Sequence, residues 1–356
     1  MIRIAGLVVM VVSFSGCSQD AGLPGELEDY GQRLARVLEM PEVAAALSPD
    51  LSLRYPDRRN LQRAFKEYHI DLSDFLGVLT CELNTLIAER NSGLGKVWPA
   101  SHQWRYEVKF IRLAQRCARD LDGTQPDLAA MLASVAEEKR GALSTVAWNA
   151  TWAGPEFQTF LALRPLDLSA VILIESNGVE TARALENLTT WTIEASHADQ
   201  AFETGLERAN RALIASPRLG EILYEMERTV SFFQRLNRQL EKRLQGRPIC
   251  LDAHPNERAR IAVNVLTQRY IGRIQPQLAG LQRLFSAWAP PLASLYHVFM
   301  SASRLEVGND AVKEWITAYL DGGDQGLEHR FHRELQVHAA LWTQLMGQCG
   351  MSPGNR

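Results

Sequence analysis

The chain has 356 residues, 46% of them apolar and 22% charged, an ordinary globular composition that excludes a disordered or collagen-like polymer. Its formal charge is −3; setting aside residues 1–16, whose only charged side chain is Arg3, leaves 37 basic against 41 acidic residues, or −4. A surface this mildly acidic lacks the broad positive field of a non-specific phosphate binder, so nucleic acid is not an expected partner.

The N-terminus reads as an export leader. Arg3 precedes an apolar run over residues 4–14. As a helix, about eleven residues span about 17 Å against about 30 Å of hydrocarbon, which suits a cleaved signal peptide better than a permanent span. Phe14-Ser15-Gly16-Cys17 follows, two small residues directly before a cysteine. It resembles the lipobox of bacterial lipoproteins, in which the thiol is diacylated, the leader removed and the new amine acylated, although Phe14 stands where Leu is usual. Several acyl chains on Cys17 would anchor the protein firmly. Ser18, in place of Asp, favours the outer membrane by resemblance to the common sorting rule, which predicts a location on the periplasmic side of that membrane. The expected organisation is a signal peptide over 1–16, a lipidated tether over 17–24, one helical domain over 25–350 and a disordered tail over 351–356. The one place for a sub-boundary is near Asn177.

Periodicity after the tether is helical almost throughout. Residues 26–38 and 41–47 read as helices. Residues 51–60, with Tyr55 beside Arg54, Arg58 and Arg59, read as a solvated connection with a lesser prospect of touching lipid headgroups. Phe75, Leu76, Leu79, Leu83, Leu86 and Ile87 recur at steps of three and four and predict a helix over 73–90. Asn91-Ser92-Gly93 should end it, since Asn and Gly tolerate a left-handed C-cap. A helix over 99–121, with Pro99 in its first turn, should form a hairpin with it. Residues 127–147 are amphipathic, and 157–173 form the most apolar stretch after the leader. Within it Val171-Ile172-Leu173-Ile174 is strand-like but has no partner strand, which favours buried helix or an extended connection.

Leu185, Leu188, Thr192, Ala195, Asp199, Phe202, Leu206, Ala209 and Leu213 predict one long helix over 179–215. Ser216-Pro217 should cap the next. In it Leu219, Leu223, Met226, Val230, Phe233, Asn237, Leu240 and Leu244 keep the rhythm until Gly246 and Pro248. Two long helices joined by a tight link predict an antiparallel pair, and Ile222, Phe232 and Leu236 widen the apolar face beyond a coiled-coil seam. The pattern continues over 256–288 with a kink at Pro276, breaks at Pro290-Pro291, and resumes over 292–303, 310–320 and 327–346. The fold class is all-α, a multi-helix bundle with long antiparallel helical hairpins.

Besides Cys17 the chain has Cys81, Cys117, Cys250 and Cys349. An even number outside the cytoplasm permits two disulfides in three connectivities. Their placement favours Cys81–Cys117, mirrored about the turn at 92–100, and Cys250–Cys349, joining the loop after Pro248 to the last helix. Loops of those lengths are worth about 4 and about 4.7 kcal/mol by chain entropy. Four buried thiols are the alternative.

No segment announces catalysis. Glu89-Arg90-Asn91-Ser92-Gly93-Leu94-Gly95-Lys96 is Gly-rich, but it follows a helix, and a helix C-terminus repels anions, so it reads as a cap, with a polar binding loop as the alternative. Glu328 and His332 share a helical face with His329 adjacent, but His338 lies about half a turn around. These histidines read as solvated or paired surface residues, and no metal or cofactor is expected. Trp148 and Trp152, one turn apart, read as core. Nucleophile motifs are lacking.

Leu79-Thr80-Cys81-Glu82-Leu83, then Glu89-Arg90-Asn91-Ser92 and Leu94-Gly95-Lys96, with Tyr106-Glu107 and Cys117 beyond, resemble the domain of unknown function numbered 3080, a family of Gram-negative envelope lipoproteins. The resemblance extends over most of the chain beyond Cys17. It implies a single family-wide domain and an envelope lipoprotein, and assigns no activity. Glu89, Arg90 and Asn91 are the interaction candidates. The expected function is a non-enzymatic binding or accessory module for another envelope component, protein or peptidoglycan. The alternatives are a cell-wall or lipid-acting enzyme using carboxylates outside any motif, or a carrier of apolar ligands.

Overall fold

Seventeen of the 27 residues of the helix Leu219–Gln245 are buried, which makes it the axis of the molecule. The computed structural model describes residues 22–43, 53–66, 68, 77–166, 174–194, 200–215, 217–301 and 310–351, and no strand occurs among them. In chain order, α1 (Gly22–Leu38), the one-turn α2 (Arg58–Leu61), α3 (Leu83–Asn91), α4 (Ala100–Leu121), α5 (Pro126–Ala150) and α6 (Pro155–Leu161) form the first half. The second half contains α7 (Ile174–Ile193), α8 (Gln200–Ile214), the axial α9 (Leu219–Gln245), α10 (Glu257–Val265), α11 (Gln275–Ser301), α12 (Asp310–Tyr319) and α13 (Leu327–Gln348). Buried side chains from Leu23 to Cys349 make one contiguous cluster.

Every seam position predicted for α9 is buried, as are Ile222, Phe232 and Leu236, which widen its apolar face enough to meet several neighbours. Those neighbours are α13, α11, α6 and α1. The expected pairing of α9 with the helix before it does not occur in that form. The single helix expected over 179–215 is two helices, α7 and α8, packed on each other through Leu185, Leu188, Phe202 and the edge-on contact of Trp191 with Phe202. Seam positions Ala195 and Asp199 lie outside the described residues. Ser216, half of the expected cap, lies outside the described residues, and Arg218, directly before α9, has the extended backbone usual for a helix N-cap. The cap of α9 sits at Arg218, where the Glu221 carboxylate accepts the Arg218 backbone N–H at 2.9 Å. Gly220 is required next to it, since a Cβ there would stand 2.2 Å from the Ala162 carbonyl oxygen.

The prolines behave differently from expectation. α11 continues through Pro290 and Pro291. Trp288, Ala289, Leu292 and Leu295 are buried on either side, and the Trp288 indole donates to the Gly178 carbonyl at 2.9 Å. That packing offsets the roughly 3 kcal/mol that proline costs a helix interior. Before Pro276 the chain runs through nine π-helical residues, Leu266–Ile274, and the Gln275 N–H reaches back five residues to Tyr270. The wider turn accommodates a ring that would crowd an α-helical carbonyl four residues back.

The cysteines pair as their placement favoured: Cys81 with Cys117, and Cys250 with Cys349. Cys81 sits in a turn before α3 and not on a helix, because α3 begins only at Leu83. α1 begins at Gly22, within the stretch expected to be tether, and Leu23 is already buried. Residues 41–43, expected to start a helix, are not helical. The leader, Cys17, residues 44–47, the strand-like Val171-Ile172-Leu173 and residues 352–356 lie outside the described residues. Trp148 and Trp152 are core. Tyr55, expected in a solvated loop, is also core: its hydroxyl donates to the Trp152 carbonyl at 2.6 Å and its ring meets Trp315 edge-on.

His338, expected at the surface, is fully buried between α1, α9 and α13. Its Nε2 lies 2.7 Å from the Tyr30 hydroxyl and its Nδ1 2.9 Å from Asn237 Oδ1. The Asn237 amide donates to the Glu334 carbonyl at 2.9 Å, so its Oδ1 is free to accept and Nδ1 of His338 carries the proton. Tyr30 then donates to Nε2 and accepts the Trp342 indole N–H at 2.9 Å. Burial lowers the His338 pKa from 6.5 to about 3 and pushes the Tyr30 phenol well above its usual value, so both stay neutral. The unfolded chain binds a proton at His338 below about pH 6.5 that the folded chain refuses down to about pH 3, so stability falls with pH across that window by about 1.4 kcal/mol per unit. Urea unfolding at pH 7 and pH 5 should show about 2 kcal/mol of this loss. His338→Gln, though less stable, should lack that share of the pH slope; equal slopes in the two proteins would contradict the assignment.

Candidate functional site

The turn after α3 is built by side chains that lock its backbone. Leu83, Leu86 and Ile87 bury one face of α3 against α4, and the Cys81–Cys117 disulfide ties the turn before α3 to the same helix. α3 ends without the left-handed residue expected at Asn91 or Gly93: its C-cap, Ser92, is extended, with φ −65° and ψ 162°. The Ser92 hydroxyl donates to the Glu89 carbonyl at 2.7 Å and accepts the Gly95 N–H at 3.1 Å, while the Arg90 guanidinium donates to the Gly95 carbonyl at 2.7 Å. These bonds fold residues 92–95 back onto the end of α3. A Cβ on Gly95 would lie 2.3 Å from the Arg90 oxygen and 2.4 Å from that of Glu89, so only glycine fits. One 3₁₀ turn, Gly95–Val97, then leads to Trp98 and Pro99 and into α4. At the tip Leu94 and Val97 are 79% and 76% exposed.

Two clefts open on either side of this corner and share Tyr106 as a wall. The first, about 310 Å³, lies between α3, α4 and α8 and holds Glu89, Trp98, His102, Arg105 and Lys109. The second, about 150 Å³, lies between α3, α4 and α5 and holds Arg90, Asn91, Tyr68, Phe110 and Lys139. Glu89, Arg90 and Asn91, the candidates from sequence, are therefore brought to one corner but divided between its two sides. Along α4 and the residue pair before it, Trp98, His102, Tyr106 and Phe110 stand four apart, with ring centroids 5.7 Å apart for Trp98–Tyr106 and 5.9 Å for Tyr106–Phe110. The Arg90 guanidinium lies 5.8 Å from the Trp98 ring. This ladder is not among the residues singled out above, although its spacing of four is visible in the sequence.

Under the second cleft sits a buried ion pair. Lys139 Nζ on α5 is 2.7 Å from a Glu107 carboxylate oxygen on α4, with the two side chains 7% and 4% exposed. The ammonium is ringed by Phe110, Tyr68 and Tyr106 at 4.8, 5.2 and 5.6 Å, and the other Glu107 oxygen accepts the Gln103 amide at 2.5 Å. Burial pushes the Tyr106 phenol up, the Glu107 charge adds to this and the Arg90 charge offsets part of it, so the hydroxyl stays protonated. Tyr68 donates to the Glu138 carboxylate, which Lys66 also holds at 2.8 Å.

Elsewhere, the buried carboxylates Glu221, Glu225 and Glu227 on α9 each face an arginine: Arg164 and Arg218, Arg228, and Arg330. His332 lies 3.9 Å from Glu328 on the surface. Among the described residues no group of three or more His, Cys, Asp or Glu side chains could hold a metal ion, and no helix is long and apolar enough to cross a membrane.

Lys139→Met should destabilise the protein by about 3–5 kcal/mol, since it leaves the Glu107 carboxylate buried without its cation. The double variant Glu107→Leu/Lys139→Met should recover most of that loss in denaturant unfolding. A single variant costing less than about 1 kcal/mol would show that the pair is not desolvated as described.

No curated protein and no solved structure matches this chain. The family described as "Protein of unknown function (DUF3080)" matches residues 27–353, from α1 to just beyond α13, and takes in both clefts and both disulfides. The chain belongs to that family.

Proposed function

We propose that this chain is a lipid-anchored protein of the Gram-negative envelope, held through Cys17 on the periplasmic side of the outer membrane, and that its helical domain is a non-enzymatic binding module for another envelope component, a protein or peptidoglycan. The observation that carries the binding role is the corner after α3. Two clefts meet there on Tyr106, the Glu89-Arg90-Asn91 run reaches both, and Leu94 and Val97 stand exposed in the turn that follows this run. Exposed apolar side chains beside fixed polar groups are what a recognition surface needs. Anchoring is supported by the leader, by Ser15-Gly16 before Cys17, and by two disulfides, which suit an oxidising compartment. The enzyme reading gains little: the buried carboxylates Glu107, Glu221, Glu225 and Glu227 are each held by a cation in a structural pairing. The carrier reading gains little either, because the two clefts, about 310 and about 150 Å³, carry charged side chains in their linings and are at the small end of the range for an apolar ligand.

Labelled palmitate should enter the wild-type chain, and Cys17→Ala should take up none and be lost from the outer-membrane fraction. A Cys17→Ala chain that stays intact in that fraction would contradict the anchor. In-cell crosslinking of the tagged chain should return a reproducible envelope neighbour whose yield drops severalfold in Glu89→Lys/Asn91→Arg. Recovery of no such neighbour would count against the binding role.

A further inference from the structure

The two clefts differ in charge. In the first, Glu89 and Glu203 balance Arg105 and Lys109, so these four side chains carry no net charge. Arg105 is engaged with the Glu203 carbonyl at 3.4 Å and the Glu207 carboxylate at 3.9 Å, and Glu203 with Arg112 at 3.1 Å. Glu89 and Lys109 have opposite charges yet pair neither with each other nor with any other described residue, and the half-buried Trp98 has an indole N–H without a partner among the described residues. One strong acceptor, one strong donor and a second donor on an aromatic plate therefore surround a space of about 310 Å³.

From this we infer that the cleft between α3, α4 and α8 holds one sugar ring of a glycan strand, stacked on Trp98. The inference rests on the reading of this corner as a binding surface and names its ligand. A pyranose offers an apolar C–H face to an aromatic ring and a rim of hydroxyls that both donate and accept. Glu89 accepts from that rim, and Lys109 and the Trp98 N–H donate to it. A phosphate or a polycarboxylate would gain nothing from a lining of zero net charge that includes two carboxylates. A zwitterionic peptide end could use Glu89 and Lys109 but would bring no C–H face to the Trp98 ring, which already meets Tyr106 at 5.7 Å and Arg90 at 5.8 Å.

The test uses the full chain purified from membranes in detergent, with the N-acetylglucosamine tetramer as probe. Saturation-transfer NMR and tryptophan fluorescence should report binding. Trp98→Ala should weaken it at least tenfold, Trp98→Phe should retain most of it, and Glu89→Lys should weaken it. No binding to the wild type, equal binding by Trp98→Ala, or binding of the zwitterion alanyl-alanine in place of the tetramer would each overturn the inference. If Trp98→Ala fails to fold, Glu89→Lys and Lys109→Glu decide, loss of binding supporting the site and retention opposing it. An anchored chain that crosslinks to a neighbour through this corner and ignores the tetramer overturns the sugar and leaves the binding module standing.

Discussion

The hydrogen-bonded chain from Trp342 through Tyr30, His338 and Asn237 to the Glu334 carbonyl decides how α1 sits on α9 and α13. A purely apolar interface between three helices tolerates sliding by a turn. This one does not, because in any other register a buried imidazole, phenol or amide would lose its partner, at about 1–3 kcal/mol each. Tyr270 and Phe233 close around the same imidazole at 5.1 and 4.9 Å, so the π-helical stretch that carries Tyr270 is held to the register too. At the rim Arg273 reaches Glu26 at 2.9 Å and Arg269 reaches Asp29 at 3.2 Å, fixing α1 to the same stretch. The axial helix then carries α6 and α11 on its other sides, and α11 carries α7 and, through it, α8.

The corner after α3 applies the same economy to a surface. Its shape does not depend on Leu94 or Val97, which touch little, but on Ser92, Arg90 and Gly95, which bind the turn to the end of α3. A surface fixed in this way does not lose loop entropy on meeting a partner, and that is the physical content of a preformed site. The buried Lys139–Glu107 pair adds to the rigidity by holding α5 against α4 beneath the second cleft. In that cleft the ammonium is already satisfied by Glu107 and three rings, whereas the Glu89 and Lys109 side chains in the other have no partner among the described residues, and the proposed sugar site is placed there for that reason.

Helix class and core were legible because burial on α9 follows from a local rhythm, and every position from Leu219 to Leu244 that kept it is buried. Which helices meet was legible only in part: α3 packs on α4 as expected, but α8 does not pair with α9. α8 packs on α7, α6 and α4, and α9 on α13, α11, α6 and α1, and the rhythm along one helix does not name the helix that will cover it. His338 shows the limit most clearly. On its own helix it is one polar residue among several, and its burial depends on Tyr30, 308 residues away, and Asn237, 101 away. Tyr55 is hidden for the same reason, its acceptor being 97 residues distant. Pro290 and Pro291 misled because helix breaking is a local cost, and the packing of Trp288, Leu292 and Leu295 that offsets it is not local. Of the candidate site, the run from Glu89 to Asn91 stood out in the sequence as part of a Gly-rich polar loop and again through the family resemblance. The rings at 98, 102, 106 and 110 could have been found by spacing, and the Glu107–Lys139 pair could not.

Hydrogen exchange at single-residue resolution tests the preformed corner most directly. The Gly95 N–H is bonded to Ser92 Oγ, the Lys96 N–H to the Ser92 carbonyl and the Val97 N–H to the Leu94 carbonyl. In the ligand-free chain these three amides should exchange much more slowly than those of Gly322 and Gly323, which stand in an open turn. Exchange at the open-turn rate would mean that the corner forms only on binding, and the account of a ready-made recognition surface would fail.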